Sequence, residues 1–299
     1  MKNIYYSKIF YTLFLLIIVL NSCKKEPLNY ITYYQQVNEI DSIYRYSDQP
    51  KLVVEQYKKL FKEYPPLNQD LIREYETYIV LADRYGKDFG GKESLKKLIR
   101  FLAPYSHHDS FKPYYSLFAK YGLDSLAVNK EYRKWENNLD KVVLDSFSIA
   151  RERDQQPRLD NDFDLMKLND KKNIKLFKWT FDHYGFPSKD LIGLKSTSGK
   201  DIHIITFMLH YVNTDDYEYF KNKLLEYVKS GEFEPKFYAA FVDRHEDYVV
   251  KKGTFYGQYP TFADSLDINQ INKNRKSIGL ASREHTFKIA QDNLKDKPL

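Results

Sequence analysis

One histidine in the second half of the chain has a residue type and setting suited to acid–base chemistry. His210 could act as a general base if a carboxylate, Asp243 or Asp170, orients its ring. If the fold brings them together with His210, Arg158, Arg244 and Arg275 have the fixed positive charge that binds an anionic substrate or stabilises a negatively charged transition state. The catalytic candidates are His210, Asp243 and Arg244, and the binding candidates are Asp154, Arg158, Asp170, Tyr256 and Arg275.

The same residues allow a structural interpretation, which the sequence favours over the catalytic one. A charge that is removed from water must be paired, so buried Asp–Arg pairs and a hydrogen-bonded histidine can hold helices together. The two interpretations differ in geometry. A catalytic set must surround one cavity, whereas structural pairs can lie on separate faces of the fold.

No spacing in the sequence predicts a metal or cofactor site. His203 and His210 lie seven positions apart, about 10.5 Å along a helix, which is too far for both to bind one ion. His245-Glu246 lacks the second histidine of a zinc-protease helix. The sequence also has no glycine-rich phosphate loop and no serine nucleophile elbow. We therefore predict neither a cofactor nor a metal.

The elements that must position these residues are predicted to be helices. Glycine and proline number only 11 each among 299 residues, which leaves few positions for the tight turns of sheet folds. In the first half, apolar residues recur every three or four positions, as in Val53, Tyr57 and Leu60. Five such segments are predicted, and four of them end at proline or glycine. The predicted fold class is mainly α: an antiparallel helical array, then a helical domain with at most a short β-hairpin.

The helices predicted in the second half are less uniform. A long connecting helix is expected over residues 124–154 and is ended by Gln155-Gln156-Pro157, because proline lacks the amide hydrogen that a helix needs. Residues 202–212 are apolar nearly all round and predict the central, most buried helix of this half. Residues 254–262 are rich in aromatic residues and threonine, which predicts a short extended pair or an ordered loop.

The first residues have the layout of a secretory signal peptide. Lys2 and Lys8 come with a run of uncharged residues from Ile9 to Leu20, which is too short to span a membrane. The four residues Leu20-Asn21-Ser22-Cys23 resemble the lipobox of bacterial lipoproteins, and Cys23 is the only cysteine. The resemblance implies that residues 1–22 are removed and that Cys23 is acylated, so that the mature chain is anchored in the lipid bilayer.

This resemblance also implies a location and an order of domains. We expect a lipid-anchored protein of the cell envelope, and the tether Lys24-Lys25-Glu26 favours the outer membrane of a Gram-negative bacterium.

Basic residues exceed acidic ones only slightly, 47 to 41, and are interleaved with them, so no nucleic-acid partner is predicted. The predicted domains are the signal peptide at 1–22, the helical array at 23–123 and a helical domain at 124–299.

Short polar and glycine motifs follow one another between about residues 138 and 280. They are Arg151, Asp154-Gln155, Arg158, Asp170, Asn173, Gly185-Phe186-Pro187, Leu191-Ile192-Gly193, His210, Asp243-Arg244, Phe255-Tyr256-Gly257, Arg275 and Ile278-Gly279-Leu280. In this order they resemble an uncharacterised bacterial family, domain-of-unknown-function family 6624. The resemblance implies an architecture but no reaction. The chain departs from the family after Gly257, where the family has Thr-Gln and this chain has Gln258-Tyr259.

The sequence supports two classes of function. The first is a membrane-anchored binding or scaffolding module whose tyrosine-rich helices contact an envelope protein, a peptide or a glycan. The second is an envelope hydrolase or transferase that uses His210 with Asp243 and Arg244 on an anionic substrate. The lack of a known catalytic signature favours the first class.

Overall fold

The computed structural model of the protein describes residues 28–258 and 267–295. Within these ranges the secondary structure is helical and contains no strands; one isolated antiparallel bridge joins Lys195 and Asp201. The mainly α prediction is therefore confirmed. The α-helices of the described ranges are α1 (Tyr30–Tyr46), α2 (Pro50–Glu63), α3 (Glu74–Arg84), α4 (Gly91–Leu102), α5 (Tyr115–Lys120), α6 (Ser125–Asn138), α7 (Lys141–Leu159), α8 (Phe163–His183), α9 (Ile204–Leu209), α10 (Tyr217–Ser230), α11 (Pro235–His245), α12 (Ile268–Ser277) and α13 (Arg283–Lys295).

The predicted signal peptide and Cys23 lie outside the described residues, as do residues 259–262 of the predicted extended pair or loop at 254–262. The described part of that pair, residues 254–258, is an irregular loop. Among the described helices, none combines the length and the apolar character that crossing a membrane requires.

The first four helices form the predicted array, in which each helix contacts the next one along the chain. Their apolar residues at three- and four-residue spacing are buried, for example Tyr33 and Val37 on α1 and Tyr57 and Leu60 on α2. Helix α1 begins where the Asn29 side chain accepts a hydrogen bond from a free amide of its first turn. The burial of these stripes, rather than intrinsic propensity, is what stabilises helices of this length.

The predicted connecting helix over 124–154 is wrong in its length, because the chain forms two helices there. Leu139 has extended backbone, and the Asp140 carboxylate then accepts a hydrogen bond from the Val143 amide and caps the start of α7. The Asp140 amide itself donates to the carbonyl of Leu191. The break between α6 and α7 is therefore stabilised by the local Asp140 cap and by a hydrogen bond to the distant Leu191.

The expected end of this helix at Pro157 is also wrong, because α7 continues to Leu159 with the proline inside it. A proline at 157 removes the amide that would donate to the carbonyl of Arg153. The side-chain amide of Asn169, on α8, donates to that carbonyl at 2.8 Å. The neighbouring helix thus supplies the missing donor, and the last turn of α7 keeps the position of Arg158.

The segment 202–212 is only partly buried, with His203 exposed, and only Ile204–Leu209 is α-helical; within that helix Phe207 and Met208 are buried, so the prediction of a fully buried central helix is wrong. The Ile202 amide donates to the carbonyl of Leu194, which holds the chain extended next to the Lys195–Asp201 bridge. The helix cannot begin before the chain leaves this pairing. It ends at His210, where the backbone amide donates to Phe207 only three positions back.

The helices of the two predicted domains share one apolar core. Helix α1 contacts α10 and α13, so the beginning of the described chain packs against its end. Gly279 lies so close to α1 that a Cβ atom there would be 2.6 Å from the Cβ of Tyr34. The Asp41 carboxylate, which is fully buried on α1, accepts hydrogen bonds from Arg45 Nε at 2.7 Å and His285 Nε2 at 2.8 Å.

Candidate functional site

Four of the predicted site residues come together where α7, α8 and α9 meet; we call them the Arg158 cluster. Asp154 and Arg158 lie one turn apart on α7, Asp170 lies on α8, and His210 follows the last residue of α9. Helices α7 and α8 pack along each other and bring Asp170 opposite Arg158. The short α9 ends so that His210 reaches the same place.

One guanidinium nitrogen is at the centre of the Arg158 cluster. Arg158 Nη2 lies 2.9 Å from Asp154 Oδ1, 3.2 Å from Asp170 Oδ1 and 2.6 Å from His210 Nδ1. Asp154 is almost completely buried, whereas the Arg158 side chain keeps 28% of its surface exposed and those of Asp170 and His210 keep 18% each. The cluster is therefore a half-buried site with one open side.

The His210 ring has two neighbours on the same nitrogen. Its Nδ1 lies 2.6 Å from Arg158 Nη2 and 3.0 Å from Asp154 Oδ1. With its proton on Nε2, neutral His210 accepts from Arg158 at Nδ1, and the Nδ1 lone pair then faces the Asp154 oxygen without a proton between them. With its proton on Nδ1, the ring donates to Asp154 and leaves the Nε2 lone pair free to act as a base.

The guanidinium favours the charged form of both carboxylates in the cluster, but only the pKa of Asp154 falls below its usual value. Burial opposes ionisation of Asp154, but hydrogen bonds from His210 and Arg158 and their charges lower its pKa to about 2. Burial raises the pKa of Asp170 above its usual value, and the nearby Asp154 charge adds to this, while Arg158 and His210 oppose it. Asp154 is thus the firmly ionised partner of Arg158.

Three of the other predicted residues, Asp243, Tyr256 and Arg275, form a second group, the Asp243 cluster, around the loop of residues 254–258. Asp243 Oδ1 accepts the amides of Phe255 at 2.8 Å and Tyr256 at 2.6 Å, and Oδ2 accepts that of Gln258 at 2.6 Å. Arg275 is buried and donates to the carbonyls of Tyr256 and Ala281. Two charged residues thus hold the backbone of one loop and of the turn after α12.

Burial also shifts the ionisation of Arg275 in the Asp243 cluster. Loss of water around the Arg275 guanidinium, together with the charge of Arg283, lowers its pKa to about 10, with Asp243 acting in the opposite direction. Tyr256 is buried and its ring contacts those of Tyr238 and Phe255. Arg244 lies over the ring of Tyr248, with 5.0 Å between the guanidinium carbon and the ring centre.

The structure groups the residues differently from the predicted catalytic set. The carboxylate within hydrogen-bond distance of His210 is Asp154, which the sequence had assigned to binding, rather than Asp243 or Asp170. Asp243 has its two oxygens on the amides of the 254–258 loop. Arg158 already has two carboxylate partners. Its positive charge is neutralised within the protein.

A polar network that the sequence analysis missed joins four distant parts of the chain. Asp70 accepts from Tyr105 at 2.5 Å and from Lys236 at 3.0 Å, and Lys189 Nζ lies 3.7 Å from the oxygen that Tyr105 binds. Glu234, just before α11, accepts the Asp70 amide at 3.2 Å and lies 3.4 Å from Lys236. Asp70 and Lys236 are 166 positions apart, so no local spacing could indicate the pair.

A polar groove of about 450 Å³ lies between α4 and α6. Its walls carry positively and negatively charged side chains and two side-chain amides. Within each helix, short ion pairs connect neighbouring side chains, such as Lys96 with Glu93 and Lys134 with Glu131. The lining residues are Glu93, Lys96, Arg100, Glu131, Lys134, Asn137 and Asn138.

Comparison with known proteins gives no match: no family model, no curated protein and no solved structure matches the chain. The possible chemistry therefore follows from the chain's own side chains. Asp154, Asp170 and His210 each have one ligand-type atom within 4.8 Å of the others, which is the spacing of a metal-binding group among the described residues. The same atoms could also serve an acid–base pair.

Proposed function

We propose that this protein is a lipid-anchored binding or scaffolding module of the bacterial cell envelope, which carries the motif order of domain-of-unknown-function family 6624. The observation that carries the proposal is the internal pairing of the charges that an enzyme would need. Arg158 is neutralised by Asp154 and Asp170, and Asp243 binds backbone amides. These residues stabilise the fold, which leaves surfaces such as the α4–α6 groove for a partner.

The anchor in this proposal is Cys23. Two or three acyl chains on one residue hold a protein on a membrane far more firmly than one chain does, because each buried methylene adds about 0.8 kcal/mol. Feeding cells a labelled fatty acid should label the wild-type chain and leave Cys23→Ser unlabelled. Fractionation should then find the wild type with outer membranes; a labelled Cys23→Ser chain would contradict the anchor.

The groove between α4 and α6 has the character of a surface for a polar ligand. It contains three basic and two acidic side chains beside two amides, which suits a charged peptide or a glycan better than an apolar molecule. Ion pairs on exposed helix faces contribute little to stability, so these residues can change partners at small cost. The expected partner is an envelope protein, a peptide or a glycan rather than a nucleic acid.

Site-specific photo-crosslinking in living cells tests the binding proposal. A photoreactive phenylalanine analogue at Asn137, in the groove, should give a discrete adduct after illumination. The same analogue at Val142, which is 63% exposed on α7, is the control and should give none. Equal adduct patterns at both positions, or no adduct at Asn137, would contradict a binding role for the groove.

One observation favours the second candidate, an envelope hydrolase or transferase. His210 lies 3.0 Å from Asp154 and keeps part of its surface exposed, as a general base needs. The variants His210→Ala, Asp243→Ala and Arg244→Ala separate the two functions when thermal melting and the cellular phenotype are both recorded. A lost phenotype with unchanged melting supports an enzyme, whereas a lower melting temperature in each variant supports the structural role that these residues have in a binding module.

A further inference from the structure

Three side chains of the Arg158 cluster surround a common centre. Asp154, Asp170 and His210 each offer one ligand atom within 4.8 Å of those of the others. One nitrogen of Arg158 lies within 3.2 Å of Asp154 Oδ1, Asp170 Oδ1 and His210 Nδ1. A cation therefore already stands at the place where a metal ion would be bound. In a tetrahedral zinc site with bonds of about 2.1 Å, ligand atoms are roughly 3.4 Å apart.

Arg158 fills this place incompletely. Its Nε is buried and has no hydrogen-bond partner within the described ranges, and Nη1 faces only the weakly accepting sulfur of Met166 at 3.1 Å. In the tautomer that accepts from Arg158, the His210 lone pair also faces Asp154 Oδ1 at 3.0 Å, which is repulsive because neither atom then carries a proton. A metal ion among the three atoms would turn this repulsion into two coordination bonds.

The geometry points to a binding site for a divalent transition-metal ion, with Asp154, Asp170 and His210 as ligands and Arg158 as an internal cation that the metal displaces. Imidazole together with carboxylates suits Zn²⁺ better than Mg²⁺ or Ca²⁺, which prefer oxygen ligands alone. Nδ1 of His210 is unprotonated in the tautomer that accepts from Arg158, so it is ready to bind a metal.

The exposed side of the Arg158 cluster offers the displaced guanidinium a solvent-accessible position. The Arg158 side chain is already 28% exposed on the last turn of α7, and arginine is flexible enough to turn its charge into water. Three protein ligands leave a fourth position for water, the arrangement of zinc sites that keep an open coordination position. The inference goes beyond the proposed binding function and does not depend on it.

The test uses the full mature chain, purified in detergent and freed of metal with a chelator. Isothermal titration with Zn²⁺ should give one site per chain in the wild type. Asp170→Asn and His210→Ala should each weaken that site by about 100-fold, since each removes one of three ligands. His183→Ala is the matched control, because His183 is exposed on α8 outside the cluster, and it should leave the affinity unchanged.

Arg158→Gln separates this inference from a merely structural ion pair. Without metal it should melt at a lower temperature than the wild type, because two carboxylates lose their counter-ion. It should bind Zn²⁺ about tenfold more tightly, since no ion pair must be broken first, and Zn²⁺ should raise its melting temperature more than that of the wild type.

Visible absorption of the Co²⁺ form gives a readout that does not depend on stability. Bands of a low-coordinate Co²⁺ site should appear in the wild type and in Arg158→Gln and should be absent from His210→Ala. The inference is overturned if the wild type binds Zn²⁺ no more tightly than His210→Ala. It is equally overturned if Zn²⁺ binds only after Arg158 has been replaced, because the natural chain then has no site.

Discussion

At the scale of single residues, the charged groups of this protein are distinguished by what they bind. Asp154 binds other side chains, which can be exchanged for a ligand. Asp243 instead accepts three backbone amides of one loop, an arrangement that no ligand can replace without moving the chain. The two carboxylates, both predicted as site residues, thus have different roles.

Replacing Asp243 by asparagine should therefore destabilise the protein strongly. Asparagine keeps one accepting oxygen but turns an NH₂ group towards the amide of Gln258, so a buried donor loses its partner. We expect a loss of about 2–4 kcal/mol in urea unfolding followed by circular dichroism. Asp201→Asn is the control: its carboxylate is half-exposed beside Lys195, and it should change stability by less than about 0.5 kcal/mol. Equal losses would refute the role of Asp243.

The sequence predicted which residues matter at this scale but not how they group. Asp154 and Arg158 are four positions apart, so a helix brings them together and their pairing follows from spacing. His210 meets Asp154 across 56 positions, through the packing of three helices. Such a contact depends on interhelical geometry, which no periodicity encodes, and His210 was therefore given the wrong neighbour.

At the scale of elements, the recurrence of apolar residues every three or four positions predicted the helices. Contacts with other elements decide where several of these helices begin and end. The stop expected at Pro157 does not occur because Asn169 binds the carbonyl that the proline leaves free. The segment 202–212 shortens to α9 because its start pairs with Leu194. Only the break before α7 had a local signal, the capping Asp140.

A double-mutant cycle tests the role of Asn169. Asn169→Leu should destabilise the wild type by about 1–2 kcal/mol, because the Arg153 carbonyl loses its donor. In the Pro157→Ala background the same change should cost clearly less, since the backbone amide of the introduced alanine restores the helical hydrogen bond. The coupling between the two sites, from chemical denaturation, should be about 1 kcal/mol. Additive effects would mean that Asn169 does not compensate for the proline.

The network that joins the turn at Asp70 to the start of α11 makes stability depend on pH. Burial raises the pKa of Glu234 to about 7, and the charge of Asp70 adds to this; although burial also acts on Asp70, Lys236 and Lys189 lower its pKa to about 2. The folded state therefore binds a proton at Glu234 that the unfolded chain has released. This contribution to stability is present below pH 4.5 and is lost as the pH rises through 7.

Between pH 5 and pH 8, Glu234 should thus lower the unfolding free energy of the wild type by about 2 kcal/mol. Asp70 adds nothing in this window, because its contribution is lost only as the pH falls from 3.8 towards 2. Glu234→Gln keeps an oxygen that can accept from the Asp70 amide. It should remove this slope of unfolding free energy against pH, measured by urea unfolding at several pH values. The control Glu218→Gln, exposed on α10, should keep the wild-type slope. An unchanged slope in Glu234→Gln would contradict a raised pKa of Glu234 in the folded protein.

At the scale of the whole molecule, the two predicted domains are joined through α1. The buried Asp41 carboxylate binds His285 across 244 positions, and Arg45 extends the contact to Asp292 on α13. An amphipathic pattern shows that α1 has an apolar face but not which helices cover it. The division at residue 123 followed from the change in helix length, whereas the contacts of α1 cross it.

Gly279→Ala tests whether the chain ends unfold together. At φ +80° a Cβ would lie 2.6 Å from the Cβ of Tyr34, so the turn must move away from α1. Gly199→Ala is the matched control, with φ +79° and no atom within 4 Å of the new Cβ, and should show only the backbone strain of about 1 kcal/mol. We expect Gly279→Ala to cost about 2–4 kcal/mol. Because α1 packs on α2, α10 and α13, hydrogen exchange should then accelerate in all four helices, whereas two independent domains would leave α2 as protected as in the control.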